Sequence, residues 1–179
     1  MTSPGVVALK PQLTLYIAAS FKHIHGVRLL GKEFSRIGCE ILDWTMKAVP
    51  PQGLTSAERR IWMDTDRNGG QVYAFCRNAC LNADLVVYFG ASGQDAGVEI
   101  GMASAVGAPI LGIRGPLESP GLMLHGAVTA WVEDAESAIL AVEGLVGLTR
   151  GGGPKILTPA TQLLSEAMRK RRKQTGLSS

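Results

Sequence analysis

The sequence has little charge, few cysteines and no long apolar run, and each shortage removes a class of protein. Only 18% of its 179 residues are charged, too few to lace a heptad rod, and its 22 glycines follow no period, which removes coiled-coil and collagen-like architectures. At 46% hydrophobic residues the chain is too apolar to stay disordered. Its three cysteines, Cys39, Cys76 and Cys80, show no Cys-x-x-Cys spacing, which argues against a disulfide framework and a zinc ribbon. No stretch approaches 18 uncharged apolar residues, and the greasiest, 137–148, contains Glu143. The opening MTSPGVVALKPQ lacks the apolar core of a signal peptide. The expectation is a cytoplasmic protein with no membrane partner. What remains is a globular chain of a length that suits one domain with a real core.

The formal net charge of +3 conceals an asymmetry. Residues 151–179 carry +5, whereas residues 1–150 carry −2. The body is mildly acidic, so the basic total is no argument for nucleic-acid binding except through the tail Met168-Arg-Lys-Arg-Arg-Lys173. Such a run is read first as a solvated, partly frayed terminus. The expected organisation is one α/β domain over 1–150, then a linker at Gly151-Gly-Gly-Pro154 and a basic C-terminal helix within 151–179, with Leu163, Leu164 and Met168 on one face.

Short β-rich apolar runs alternate with helical patterns along the body. Leu13–Ala18 reads as a buried first strand; Val27, Leu30, Phe34 and Ile37 fall at helical spacing, with Gly38 as C-terminal cap. Residues 40–44 read as a second strand, 57–64 and 71–82 as helices flanking the breaker Asp66-Arg-Asn-Gly-Gly70, and 84–89 as the clearest strand. A small-residue loop over 90–95, a helix over 96–106, strands at 109–113 and 130–132 and a helix over 134–146 complete the series. Alternation of this kind predicts a Rossmann-like, flavodoxin-like doubly wound parallel sheet of about five strands with helices on both faces.

In such a sheet ligands bind beyond the carboxyl ends of the strands. Three segments arrive there: Ala19-Ser-Phe-Lys-His-Ile-His25, Asp43-Trp44, and Gly90-Ala-Ser-Gly-Gln-Asp95 before the helix that carries Glu99. A Gly/Ser loop feeding a helix offers free N–H groups and a positive dipole end. Asp95 reads as the N-cap, with Glu99 one turn further on the same face. Two readings stand side by side: a cap followed by a solvated first-turn acid, or a carboxylate pair in a ligand cleft, one acid attacking a sugar carbon. His23-x-His25 has no third ligand at sensible spacing, so no metal is expected; Cys76 and Cys80 share a helical face and read as core thiols. Trp44 is placed to stack on a base or simply to pack.

Asp84-Leu-Val-Val-Tyr-Phe89, a Gly/Ser loop and Gly97-Val-Glu-Ile-Gly-Met-Ala-Ser-Ala-Val-Gly-Ala-Pro-Ile110 resemble the core of the nucleoside 2-deoxyribosyltransferase superfamily, which includes 2′-deoxynucleoside 5′-monophosphate N-glycosidases and CMP hydrolases. Leu15-Tyr-Ile-Ala-Ala-Ser-Phe21, Gly38-Cys-Glu-Ile41 and Met123-Leu-His-Gly-Ala127 are similar to further segments of that family, in the same order over residues 13–146.

The resemblance implies cleavage or transfer at the N-glycosidic bond of a nucleoside or its 5′-monophosphate, without a cofactor. It makes Glu99 the nucleophile that forms a glycosyl intermediate at C1′; Asp95 enters as the second catalytic acid only by the carboxylate-pair reading of the helix start. Ser20 becomes a contact to a 5′-phosphate or hydroxyl, with Lys22 as nearby charge, and Ser92, Gly93 and Gly97 become parts of the substrate loop. Met123 becomes a residue that a neighbouring subunit contributes, which implies a homodimer or larger assembly. Two departures stand against the pattern. Gly93 occupies the position of the family's second acid or serine, where a two-residue deletion is needed to bring Ser92 or Asp95 into register, and Cys76 replaces an aspartate. A catalytically impaired nucleotide-binding module is therefore the alternative.

Overall fold

The computed structural model describes residues 13–151, 153 and 156–176. Five strands, β1 (Leu13–Ala18), β2 (Cys39–Ile41), β3 (Leu85–Phe89), β4 (Ile110–Ile113) and β5 (Ala130–Val132), form one sheet in the order β2-β1-β3-β4-β5. Every pairing is parallel, with Leu15 opposite Leu85 and Val86 opposite Ile110. The central strands are buried on both faces, which is why their sequences are continuous apolar runs and do not alternate. Asp84 joins β3 to β1 at their start: its carboxylate accepts from the Thr14 backbone N–H and hydroxyl, both at 2.9 Å.

Among the described residues seven helices accompany the sheet: α1 (Ile24–Arg36), α2 (Ser56–Asp64), α3 (Gln71–Asn82), α4 (Gln94–Ala105), α5 (Leu122–Ala127), α6 (Ala135–Thr149) and α7 (Pro159–Thr175). Helices α1 and α6 pack together on one face, α3 and α4 on the other. Val27, Leu30 and Phe34 of α1 are buried at the expected spacing. The helix gives way to Gly38 at φ +97°, a left-handed conformation that glycine adopts without strain. Thr55 and Glu58 form a capping box on α2, and Asp134 caps α6 by accepting from the Ser137 N–H at 2.7 Å.

Three local expectations are corrected. The second strand ends at Ile41 and does not reach Trp44, because the Asp43 carboxylate accepts from the Thr45 N–H and turns the chain into a 3-10 turn at Trp44–Met46. Helix α4 starts at Gln94 with Gly93 as N-cap, so Asp95 lies inside the first turn and is not the cap. Residues 66–70 form a turn of π-helix rather than a plain break.

Helix α7 is held to the body along a buried face of Ala160, Thr161, Leu164 and Met168, while Leu163 is half exposed. Gly144 of α6 permits this approach, since a Cβ there would lie 2.8 Å from the Thr161 hydroxyl. Arg171, in the middle of the basic run, donates to the carbonyls of Ala83 (2.6 Å) and Leu81 (2.7 Å), so one of its cations is committed to the fold. The run is ordered helix through Thr175; of the linker, Gly152 and Pro154 lie outside the described residues. Among those described, no helix is long and apolar enough to cross a membrane.

Candidate active site

A cavity of about 400 Å³ opens beyond the carboxyl ends of β1 and β3. Strand β1 delivers Ser20 and Phe21 to it, the turn after β2 delivers Trp44, α3 contributes Tyr73, Cys76 and Arg77, and the start of α4 contributes Gly93, Asp95 and Glu99. The sheet topology thus brings five of the expected residues, Ser20, Trp44, Gly93, Asp95 and Glu99, to one cleft.

At its floor the Tyr16 hydroxyl donates to Glu99 Oε1 at 2.6 Å, short for a bond between neutral groups and in the range of a charge-assisted one. Glu99 Oε2 is buried with no hydrogen-bond partner among the described residues. Burial pushes the Glu99 carboxyl up to about 7; the Tyr16 hydroxyl and the Cys76 thiol pull the other way, and the charge of Asp95 adds to the rise. Relative to an ordinary glutamate near 4.5, keeping Glu99 charged costs on the order of 3 kcal/mol. Burial and the neighbouring carboxylate also drive the Tyr16 hydroxyl far above its ordinary range, so it remains a donor. Of the two readings of this helix start, a solvated first-turn acid is excluded for Glu99.

The walls are aromatic. Phe21 and Trp44 meet edge to face with ring centroids 5.1 Å apart, and the Trp44 indole N–H donates to the Ile17 carbonyl at 2.8 Å, which fixes the ring. Tyr73 is largely exposed along the opposite wall. Trp44 also bounds a second cavity of about 380 Å³ between α1 and the segment after β2, which contains Asp43 but no carboxylate pair.

The other expected contacts lie elsewhere. Ser92 ties two loops together: its hydroxyl accepts from the Ser20 N–H at 3.0 Å and donates to the Phe89 carbonyl, while its N–H donates to the Tyr88 hydroxyl. Lys22 and Gly97 are exposed and do not line the cavity. Met123 is 85% exposed on α5, beside Leu122 at 86%. The His23 ring is within 3.0 Å of the Ala91 carbonyl, a loop contact, and no group of three potential metal ligands occurs among the described residues. A second tyrosine–glutamate pair, Tyr88 and Glu118, is structural: the Glu118 carboxylate also accepts from the Gly115 N–H at 3.1 Å and braces the loop after β4.

Sequence reasoning missed Tyr16, Tyr73 and Arg77, and it placed Cys76 in the core. Cys80 is fully buried as expected, but Cys76 is only half-buried and lines the cavity beside Glu99. Tyr16 carried a usable signal, because a tyrosine in a buried strand must find a partner for its hydroxyl.

No protein-family model matches the chain, and no curated protein matches it. Among solved structures it is similar to a 2-deoxyribosyltransferase from Bacillus psychrosaccharolyticus, at 16% identity and TM-score 0.49 over 70% of this chain and 90% of that one. It is also similar to the CMP N-glycosidase BcmB of Clostridium botulinum (17% identity, TM-score 0.44, 70% of this chain and 95% of that one). A conserved protein from Enterococcus faecalis shows 12% identity and TM-score 0.45 over 89% of this chain and 99% of that one.

Proposed function

We propose that the chain cleaves or transfers the N-glycosidic bond of a nucleoside or its 5′-monophosphate, with Glu99 as the nucleophile. The observation that carries the reading is the Glu99 carboxylate itself, desolvated at the floor of an aromatic-walled cleft with one oxygen held by Tyr16 and the other unpaired. A solvated carboxylate is a poor nucleophile, and removal from water raises its basicity and its reactivity together.

In the first step a Glu99 oxygen bonds to C1′ as the C1′–N bond breaks through an oxocarbenium-like transition state. The base leaves with the electron pair of that bond and takes up a proton. In the second, water or a ring nitrogen of another base attacks C1′, the ester to Glu99 breaks and the acceptor loses its proton. Two displacements on one carbon retain configuration, as in retaining glycosidases. Phe21, Trp44 and Tyr73 offer faces for the base, Ser20 lies at the mouth of the cleft for the sugar's 5′ end, and Asp95, one turn before Glu99, is the group nearest to hand for the base's proton. The exposed Leu122 and Met123 form a face that a second copy would cover in a homodimer.

The neutral thiol of Cys76 favours the alternative of a binding module without turnover, because burial pushes it up to about 11 and leaves it a much weaker general acid for a departing base than a carboxyl would be. Incubation with a panel of nucleosides and their 5′-monophosphates, followed by chromatography for free base, separates the two. The proposed reaction gives base release that Glu99→Ala abolishes, by at least about three orders of magnitude. Binding without release from any member supports the module.

A further inference from the structure

The second cavity, of about 380 Å³, lies between α1 and the segment that follows the edge strand β2, and Trp44 is the residue it shares with the active cleft. Helix α1 presents Arg28, Lys32 and Ser35 to it, spaced i, i+4 and i+7 and therefore aligned in one stripe. The floor beside that stripe is apolar, from Val27, Ile41 and Leu42. One buried residue fixes the charges around it. Thr45 is wholly buried; its hydroxyl accepts from Arg28 Nε at 3.1 Å, its carbonyl from Arg28 Nη2 at 3.3 Å, and its N–H donates to the Asp43 carboxylate at 2.8 Å. Arg28 is thus held across from α1 to the turn after β2 with Nη1 unused by these bonds, and Asp43 keeps its second oxygen. Among the described residues no ion pair joins Asp43 to Arg28 or Lys32, so charges of both signs stand at one cavity without neutralising each other.

We propose that this cavity is a second ligand site, separate from the active cleft, for an organic phosphate that carries hydroxyls and a flat apolar ring, the chemistry of a nucleoside monophosphate. Two cations against one carboxylate select a net anion. The guanidinium of Arg28, the ammonium of Lys32 and the hydroxyl of Ser35 form a row of donors that suits the several oxygens of a phosphate. The remaining oxygen of Asp43 accepts from a hydroxyl, and the apolar floor covers the ring. The volume is that of a small-molecule site. Trp44 is pinned by its N–H bond to the Ile17 carbonyl and by its edge contact with Phe21, so it is a fixed partition between the two cavities. A ligand on the α1 side therefore does not reach Glu99, and it is neither the glycosyl donor nor the acceptor of the proposed reaction.

The site stands whether or not the protein releases a base, and its test needs no turnover. Two-dimensional NMR of the labelled full chain, and of Glu99→Gln, which stops consumption of the probe by the proposed route, follows titration with adenosine 5′-monophosphate, adenosine and inorganic phosphate. The monophosphate is expected to move the Thr45 amide, the Arg28 Nε–H and the amides of Lys32 and Ser35 together. Adenosine and phosphate each lack half of the recognition and are expected to move this set only at concentrations at least about tenfold higher. Two variants probe charge and space separately. Lys32 makes no hydrogen bond or ion pair among the described residues, so Lys32→Glu reverses a charge without removing a contact of the fold. A Cβ at Gly31 would meet Ile41 at 3.7 Å and Ile17 at 3.9 Å, ordinary contacts, so Gly31→Leu fills the cavity and leaves its charges in place. Each is expected to weaken the response of the α1 set by at least about tenfold while the response of Ser20 and Gly93 in the active cleft is unchanged. Movement of the cleft residues alone, an α1 response that either variant leaves unchanged, or an equal response to adenosine or to phosphate overturns the inference.

Discussion

Tyr16 and Glu99, 83 residues apart, meet in a 2.6 Å hydrogen bond that joins the middle of the sheet to the first turns of α4. A buried strand residue cannot move without disturbing β2 and β3 on either side, so the carboxylate it holds is fixed to the rigid part of the molecule. The orientation of Glu99 is therefore set by the core, while the loops around the cavity are left to contact a ligand.

Glycosyl transfer to Glu99 requires its charged form, and burial places its titration at about 7. Base release is expected to rise with pH through about 7 and to fall roughly tenfold for each unit below it. A profile of kcat/KM against pH that is flat between 5 and 8 contradicts this assignment.

Tyr16→Phe removes a donor to a charged group and nothing else of comparable size. Its effect is expected as a shift of the rising limb upward by about one to two units. At pH 7 that corresponds to a loss of about fivefold to fiftyfold, largely recovered at pH 9. A rate that drops equally at all pH values points instead to a displaced carboxylate.

The same desolvation makes Glu99 a liability for stability. An unfolded glutamate titrates near 4.5 and the folded one near 7, so between these values the folded state binds more protons and stability falls as pH rises. Glu99→Gln removes that dependence and is expected to stabilise the fold above pH 7 by up to about 3 kcal/mol, with little effect below pH 4.5. Thermal or denaturant unfolding at pH 4 and pH 8 measures both.

Much of the fold was legible because strands buried on both faces announce themselves as apolar runs, and α1 and α6 carry their caps in the sequence. The short strand β2 was overextended because Trp44 is apolar, although the Asp43–Thr45 contact, a local polar bond, ends the strand three residues earlier, at Ile41. The position of Glu99 after a strand and a small-residue loop pointed to the cleft it lines, but the same pattern fitted a solvated first-turn acid equally well. Cys76 was not legible, because a helical period shows only that a residue faces inward, and inward on α3 means the core at Cys80 and the cavity at Cys76.

Arg171 shows the same limit in the tail, where five consecutive cations read as a solvated run. Arg171→Met leaves the carbonyls of Ala83 and Leu81 without their donor and is expected to cost about 1–3 kcal/mol of stability. Lys170→Met, on the exposed side of α7, is expected to change stability by less than about 0.5 kcal/mol. Denaturant midpoints for the two variants make the comparison.

The central claim is that a bond forms between Glu99 and a sugar carbon. Rapid quenching of the protein with a substrate found by base release, followed by mass spectrometry of the peptide that contains Glu99, tests it directly. The account predicts a peptide heavier by one sugar unit with the added mass on Glu99, formed in a burst with the first equivalent of free base and absent in Glu99→Ala. Base release at an unchanged rate from Glu99→Ala, or a sugar adduct on any other residue, would contradict it.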